Sequence, residues 1–308
     1  MSGFKVAGGV YGYYLVLVVA VVNVSMASIL VRMALGEGVH GFAAATWRCV
    51  FSSLLTWALF FGLHGFKPSF SFKFRDVVLM ASSGVALGLH FALWMHSLAH
   101  INVAASVTIV DSYPAILAIA GRLLLESYSA PQYLGALTAM IGVAGLSTAS
   151  YTGQLAPSGG DPVYGSLLAF GGAVAVAVYF TIGKAMRRKY STVEYTAIVY
   201  SAAALTTIVL SMAWGVKLSG YEVKAWALLV LLALIPMLGG HTLVNYVLGK
   251  LSLLASTVPI LGEPVGASIL AFLILGEPIT LPIAAFMAIT LSGIALTLLW
   301  ERPTTIKA

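Results

Sequence analysis

Leu87-Gly88-Leu89-His90 and Leu238-Gly239-Gly240-His241 carry the same signal twice, about 150 residues apart, each inside a long apolar stretch. At similar offsets Ala105-Ser106 returns as Ala255-Ser256 and Pro114 as Pro264. The chain is therefore read as a duplication, each copy opening a similar run of apolar segments. A unit with an odd number of membrane crossings must sit upside down relative to its twin. Secondary transporters built this way bind their solute where the copies meet.

The solvent of this chain is lipid. Hydrophobic residues make up 60% of it, charged residues only 8%, and the mean hydropathy is +0.99. A soluble domain carries about 25% charged residues. Splitting at Gly, Pro and charge clusters predicts an all-α membrane protein of ten transmembrane helices, arranged as two inverted five-helix repeats. The expected helices are 9–31, 42–63, 76–98, 102–124 and 131–150, then 163–185, 194–214, 225–248, 252–275 and 280–300. Helices of about 20 residues cross a ~30 Å hydrocarbon layer with modest tilt. Residues 1–150 form the first unit, 151–162 a Gly/Pro-rich external linker, 163–300 the second unit, and 301–308 a tail.

A formal charge of +6 raises the question of nucleic acid, and the placement of the charges answers it. With ten crossings, Lys5, Lys67, Lys73, Arg75, Arg122, Lys184, Arg187, Arg188, Lys189, Lys250, Arg302 and Lys307 fall at one face. Lys217 and Lys224 fall opposite, Arg32 near that edge, and Arg48 inside a helix. This is the asymmetry of the positive-inside rule, which places both termini in the cytoplasm of an inner-membrane protein and leaves no nucleic-acid reading. The apolar run after Lys5 outlasts the core of a cleaved signal peptide and is read as a retained first helix. Cys49 is the only cysteine, so no intramolecular disulfide or cysteine cluster is available.

Polar groups at mid-membrane are the informative minority, because an ionised carboxylate at a helix centre costs about 2.5–3.5 kcal/mol. Asp111 and Glu263 fall at similar depth in the fourth and ninth helices, close to the matching prolines Pro114 and Pro264. Each proline removes a backbone donor and frees the carbonyl four residues earlier, as Pro259 also does. Broken helical ladders beside two carboxylates predict a polar pocket at the repeat interface, with Asp111 and Glu263 as proton-coupling candidates. The plainer alternative is a proline kink with a buried salt bridge, and Arg48 either neutralises a carboxylate or snorkels outward.

His90, His241, Asn23, Asn245, Tyr113, Trp94 and Tyr179 are the candidate substrate-binding residues, since imidazole, amide, phenol and indole groups pair with a small amphipathic solute. Each also has an ordinary role in helix packing or in the aromatic belt. Gly84/Gly88 and Gly262/Gly266 are small-xxx-small pairs that favour close helix contact. His96 and His100 have metal-pair spacing but no carboxylate near them in sequence, so no metal site is assigned, and nothing calls for a cofactor. Neither a phosphate loop, a nucleophile elbow nor an H-E-x-x-H motif occurs, which leaves ATP-driven pumping and familiar hydrolysis without support.

At this point the chain resembles the drug/metabolite transporter superfamily, EamA type, with two five-helix repeats. The resemblance is carried by Tyr164-Gly165-Ser166-Leu167-Leu168-Ala169, Val178-Tyr179-Phe180-Thr181-Ile182-Gly183-Lys184, Leu254-Ala255-Ser256, Glu263-Pro264 and Leu275-Gly276-Glu277-Pro278. In the first repeat Ala105-Ser106, Pro114 and Gln132-Tyr133-Leu134-Gly135 keep the pattern. Two positions depart from it: the family's loop glutamate falls at Ser127, one residue after Glu126, and Asp111 stands where an apolar residue is usual.

The resemblance implies alternating access without ATP and export of amino acids or other metabolites. The expected function is a secondary or facilitative exporter of a small metabolite, an amino acid among the candidates, working by facilitated diffusion or proton antiport. Its partners are that solute and the bilayer; the oligomeric state is left open. The rival readings are an intramembrane enzyme acting on a lipid or isoprenoid through Asp111 and Glu263, and a lipid flippase. The enzyme lacks an evident metal or base-nucleophile cluster.

Overall fold

The structure is a computed structural model that describes residues 9–65, 72–97, 100–101, 103–149, 161–275 and 278–301. Most of the expected 151–162 linker lies outside these residues, as do Lys5, Lys67, Glu277 and the tail from Arg302. The described residues are helical without strands and form ten crossings, three of which are assembled from shorter pieces. The first repeat runs α1 (Val10–Gly36), α2 (Gly41–His64), α3 (Phe74–Ser97), the pair α4 (Val103–Val110) and α5 (Tyr113–Leu123), and α6 (Ala130–Ala149). The second runs α7 (Pro162–Arg187) and α8 (Thr192–Ala213), then α9 (Val223–Leu232), a π-helix (Ala233–His241) and α10 (Thr242–Leu248). It finishes with α11 (Leu253–Thr257), a 3-10 helix (Val258–Gly262) and α12 (Glu263–Leu275), then α13 (Leu281–Leu299).

The packing respects the duplication. α3 lies along α7 and α8, and its mate, the crossing α9–π–α10, lies along α1 and α2. α2 packs on its own counterpart α8, and α6 on α13, as a twofold relation requires. The loops repeat the relation. The α7–α8 loop is held to the start of α3 by Lys189 and Asp76 at 3.0 Å, and the α1–α2 loop to the start of α9 by Glu37 and Lys224 at 2.6 Å. It is one latch made twice with its charges exchanged.

Sequence chemistry explains where the crossings break. Pro114 sits in the first turn of α5, where a missing N–H is harmless and its fixed φ suits the start of a helix. The chain therefore stops at Val110, turns through Asp111 and Ser112, and restarts. Pro259 does the same at the start of the 3-10 segment and Pro264 in the first turn of α12. Pro236 lies within the π-helix, a break that the sequence reading passed over. The expected helices 102–124, 225–248 and 252–275 each change their winding at a proline, as the broken ladders at Pro114, Pro259 and Pro264 imply, because the lost donor cannot be replaced by water inside lipid.

Small residues set the helix spacing. A Cβ on Gly84 would fall on the Val199 carbonyl oxygen of α8, and one on Gly88 would come within 2.8 Å of Thr206 Cβ. Gly84→Leu is expected to force α3 from α8 at a cost of about 1–3 kcal/mol or more. Thermal unfolding in detergent checks this, and a midpoint equal to wild type would contradict it. Gly239, the counterpart of Gly88, makes the matching approach between the π-helix and α1, against Asn23.

Candidate functional site

A cavity of about 350 Å³ lies at the seam of the two repeats. Its lining draws on α1, α2, α3, α4, α5 and α6 from the first repeat, and on α7, the π-helix, the 3-10 helix and α12 from the second. The contributing residues fall in the second half of α1 (Val24 to Arg32), the first part of α2 (Arg48), the second half of α3 (His90 to Trp94) and the end of α6 (Leu146, Ser147). The cavity therefore occupies the zone between mid-membrane and the face opposite the basic loops. Its volume sits at the small end of the range for ligand pockets, about 300–1,000 Å³.

The helix breaks deliver both carboxylates to this space. Asp111 is the turn residue between α4 and α5, and Glu263 is the first residue of α12; both line the cavity. The two are within electrostatic reach of each other, and Glu263 is within reach of Arg48. No ion pair of 4.0 Å or less joins Arg48 to either carboxylate among the described residues. The buried salt bridge considered from sequence is thus not formed directly, and Arg48, 2% exposed, does not snorkel. Its guanidinium lies 4.3 Å over the Phe91 ring.

The two repeat-related histidines line the same space, one from each repeat. His90 Nδ1 lies 3.0 Å from the Gly172 carbonyl, which can only accept, so a neutral His90 carries its proton on Nδ1 and leaves Nε2 as an acceptor. Its ring stacks with Trp94, interplanar angle 10°. His241 ends the π-helix and meets the Phe91 ring edge-on at 5.6 Å; its buried Nδ1 has no hydrogen-bond partner. π-segments of this kind recur at functional sites, where the altered winding re-aims a side chain. Tyr113 donates 2.9 Å to the Thr257 carbonyl, which the passage from α11 into the 3-10 helix frees. One repeat thereby satisfies the broken ladder of the other.

His90, Trp94, Tyr113, Asp111, His241 and Glu263 are brought together around the cavity; Asn23, Tyr179 and Asn245 are not among its lining residues. Asn23 donates 2.8 Å to the Val19 carbonyl and lies over Gly239, where a Cβ would come within 2.6 Å of its Oδ1. Asn245 donates 2.5 Å to the Tyr179 hydroxyl and 2.8 Å to the His241 carbonyl, so this pair stands behind the site and fixes the end of the π-helix. Ser28, Phe91, Ser147 and Ser268 line the cavity without having been singled out from sequence. Small hydroxyls and a lone Phe give no signal until the fold places them. His96 and His100 face each other at 5.3 Å within an aromatic cluster with Tyr164 and Trp214, and no metal-binding group of three occurs among the described residues.

Below the cavity, at the basic face, a second polar cluster ties the repeats together. Glu126 Oε1 lies 3.4 Å from Lys184 Nζ and 3.3 Å from Arg188 Nη2, while its Oε2 accepts from the Leu253 amide at 2.8 Å and from Tyr128 at 3.0 Å. Glu301 accepts from the Ser252 amide and hydroxyl, both at 2.7 Å, and from Gln132 Nε2 at 2.8 Å. Burial pushes the Glu301 carboxyl above its ordinary range, and the two Ser252 bonds oppose that push. The displaced loop glutamate of the first repeat is therefore a lock on the start of α11.

The profile of the EamA-like transporter family matches residues 11–148 and again residues 163–299, one match to each repeat. The chain belongs to the EamA-like transporter family. It is accordingly a multi-pass membrane protein of the drug/metabolite transporter superfamily, with a small molecule as its class of partner. A solved crystal structure titled only "Crystal structure of protein" superposes with a TM-score of 0.77 at 17% identity, over 95% of this chain and 99% of that one. At that identity the likeness concerns the fold. No curated protein matches the chain.

Proposed function

We propose that this EamA-like protein carries a small amphipathic metabolite, with amino acids the leading class, out of the cell by alternating access across the inner membrane. The observation that carries the reading is the cavity itself: one chamber shared by inverted repeats, holding two carboxylates, two guanidiniums and two imidazoles between aromatic walls. A space lined from both repeats can be exposed to either side by rocking one against the other. The Lys and Arg asymmetry supports termini in the cytoplasm, which puts the chamber in the outer half of the membrane, with the Glu126 and Glu301 clusters between it and the cytoplasmic face. His90, Trp94, Tyr113 and His241 contact solute in this reading; Asn23, Tyr179 and Asn245 support the helices that present them. Asp111 and Glu263 carry the coupling proton, since a carboxylate desolvated by solute or by closure gives up charge more readily than one in water.

The carrier is favoured over an intramembrane enzyme because no nucleophile paired with a base faces the cavity among the described residues. Proteoliposomes loaded with unlabelled amino acids are expected to accumulate labelled amino acid by counterflow. Ala267→Trp, which fills the chamber from α12, is expected to remove that uptake. Equal uptake by the filled variant would refute a route through this cavity, and product formation in detergent would support the enzyme.

A further inference from the structure

We propose that Arg48 and His241 form the head site of the cavity and that the transported solute must present a carboxylate to them. This rests on the reading of the cavity as the solute site and names what that site selects. Three observations meet here. Arg48 is 2% exposed and lines the chamber, its buried Nε has no hydrogen-bond partner, and no ion pair reaches the guanidinium among the described residues. His241 is 9% exposed, lines the same chamber, and its buried Nδ1 is also without a partner.

Phe91 links the two. Arg48 lies 4.3 Å over its ring and His241 meets its edge at 5.6 Å, so one aromatic side chain holds both polar groups at one end of the space. A buried guanidinium with no directly contacting counterion is costly, Glu263 acting on it only from longer range, and its planar fork matches a carboxylate bidentately. Stacking on Phe91 orients that fork without using up its donors.

The rest of the lining sets the remainder of the solute. Trp94, Val107 and Phe180 give an apolar wall, while Asp111 and Glu263 present carboxylates that repel an unaccompanied anion and favour an ammonium. The match is a zwitterion with an apolar body: carboxylate on Arg48 and His241, ammonium toward Asp111 and Glu263. Of the two guanidiniums that line the chamber, Arg32 is exposed and Arg48 buried beside His241, so Arg48 is the residue that separates an amino acid from the corresponding amine.

The test measures the affinity of purified full-length protein for phenylalanine, 3-phenylpropionate and 2-phenylethylamine. Phenylalanine is expected to bind most tightly and 2-phenylethylamine at least about tenfold more weakly, the scale of one lost charge-assisted contact. Arg48→Gln is expected to weaken phenylalanine about tenfold to a hundredfold without weakening the amine, and Arg48→Lys, which keeps charge but loses the fork, to fall between. Ligand-free Arg48→Gln is expected to melt no lower than wild type, because it loses an unpaired buried charge. An amine that binds as tightly as phenylalanine, failure of both carboxylate-bearing probes to bind, unchanged phenylalanine affinity in Arg48→Gln, or a lower ligand-free melting point overturns the assignment. Phenylalanine binding that survives Ala267→Trp overturns the cavity reading instead.

Discussion

Glu263→Gln is expected to lower solute flux driven by a pH gradient roughly tenfold or more while leaving solute-for-solute counterflow largely intact. The amide keeps the size and hydrogen-bonding capacity of the acid but cannot take up and release a proton. Counterflow needs only a binding site that reaches both sides in turn, whereas gradient-driven flux also needs a titrating group that moves with it. Glu263 begins α12 beside the 3-10 segment, at the point where the ninth crossing changes its winding, so protonation there acts on a joint. Proteoliposomes with an imposed pH difference separate the two modes. Gradient-driven flux by Glu263→Gln at the wild-type rate would remove this residue from coupling and turn attention to Asp111.

Glu126→Gln is expected to be the most destabilising single change at the basic face. Glu126 and Lys184 are 5% and 3% exposed, and losing one partner of a buried pair typically costs about 3–5 kcal/mol. Lys184 would keep its bonds to the Leu248 and Leu251 carbonyls, which places the cost toward the lower end. Glutamine can still accept from the Leu253 amide, so the effect isolates the charge. The melting temperature of the purified variant should drop, and Glu126→Gln with Lys184→Met should recover part of the loss, because the double variant buries no unpaired charge although the Leu248 and Leu251 carbonyls lose a donor. A single variant as stable as wild type, or a double variant no better than the single, would show that the pair does not hold the inner side closed.

Much of this architecture is legible in the sequence. The repeat survives in sequence because helix contacts demand small residues at fixed places: Gly88 and Gly239 occupy matching positions and each meets a neighbouring helix. Pro114 and Pro264 marked the breaks because no other residue removes a backbone donor. Asp111 and Glu263 stood out because charge is rare in lipid, and both line the cavity.

Side-chain direction was less legible. Asn245 and Tyr179 read as solute ligands by their chemistry, but the helices that carry them, α10 and α7, aim them at each other. Asn23 is likewise drawn to its own helix and to the space above Gly239. The π-helix shifts register in a way that helical periodicity does not encode, and with it the aim of His241. Arg48 leaves two outcomes open in the sequence and the structure takes neither: the guanidinium is buried over Phe91 of α3 without a direct ion pair.

The account depends most on a water-filled chamber shared by the two repeats and open to the face away from the basic loops. Ser28 on α1 and Ser268 on α12 line it from opposite repeats, whereas Leu205 on α8 is 65% exposed on the outer surface of the bundle. Single cysteines at these three positions, in a Cys49→Ala background, can be challenged with a membrane-impermeant maleimide, which requires a hydrated thiolate. Ser28→Cys and Ser268→Cys should both label from the face opposite the basic loops, and Leu205→Cys should not label in the bilayer. If neither cavity cysteine reacts from that face, or if the two react only from opposite sides, the shared chamber does not exist as described.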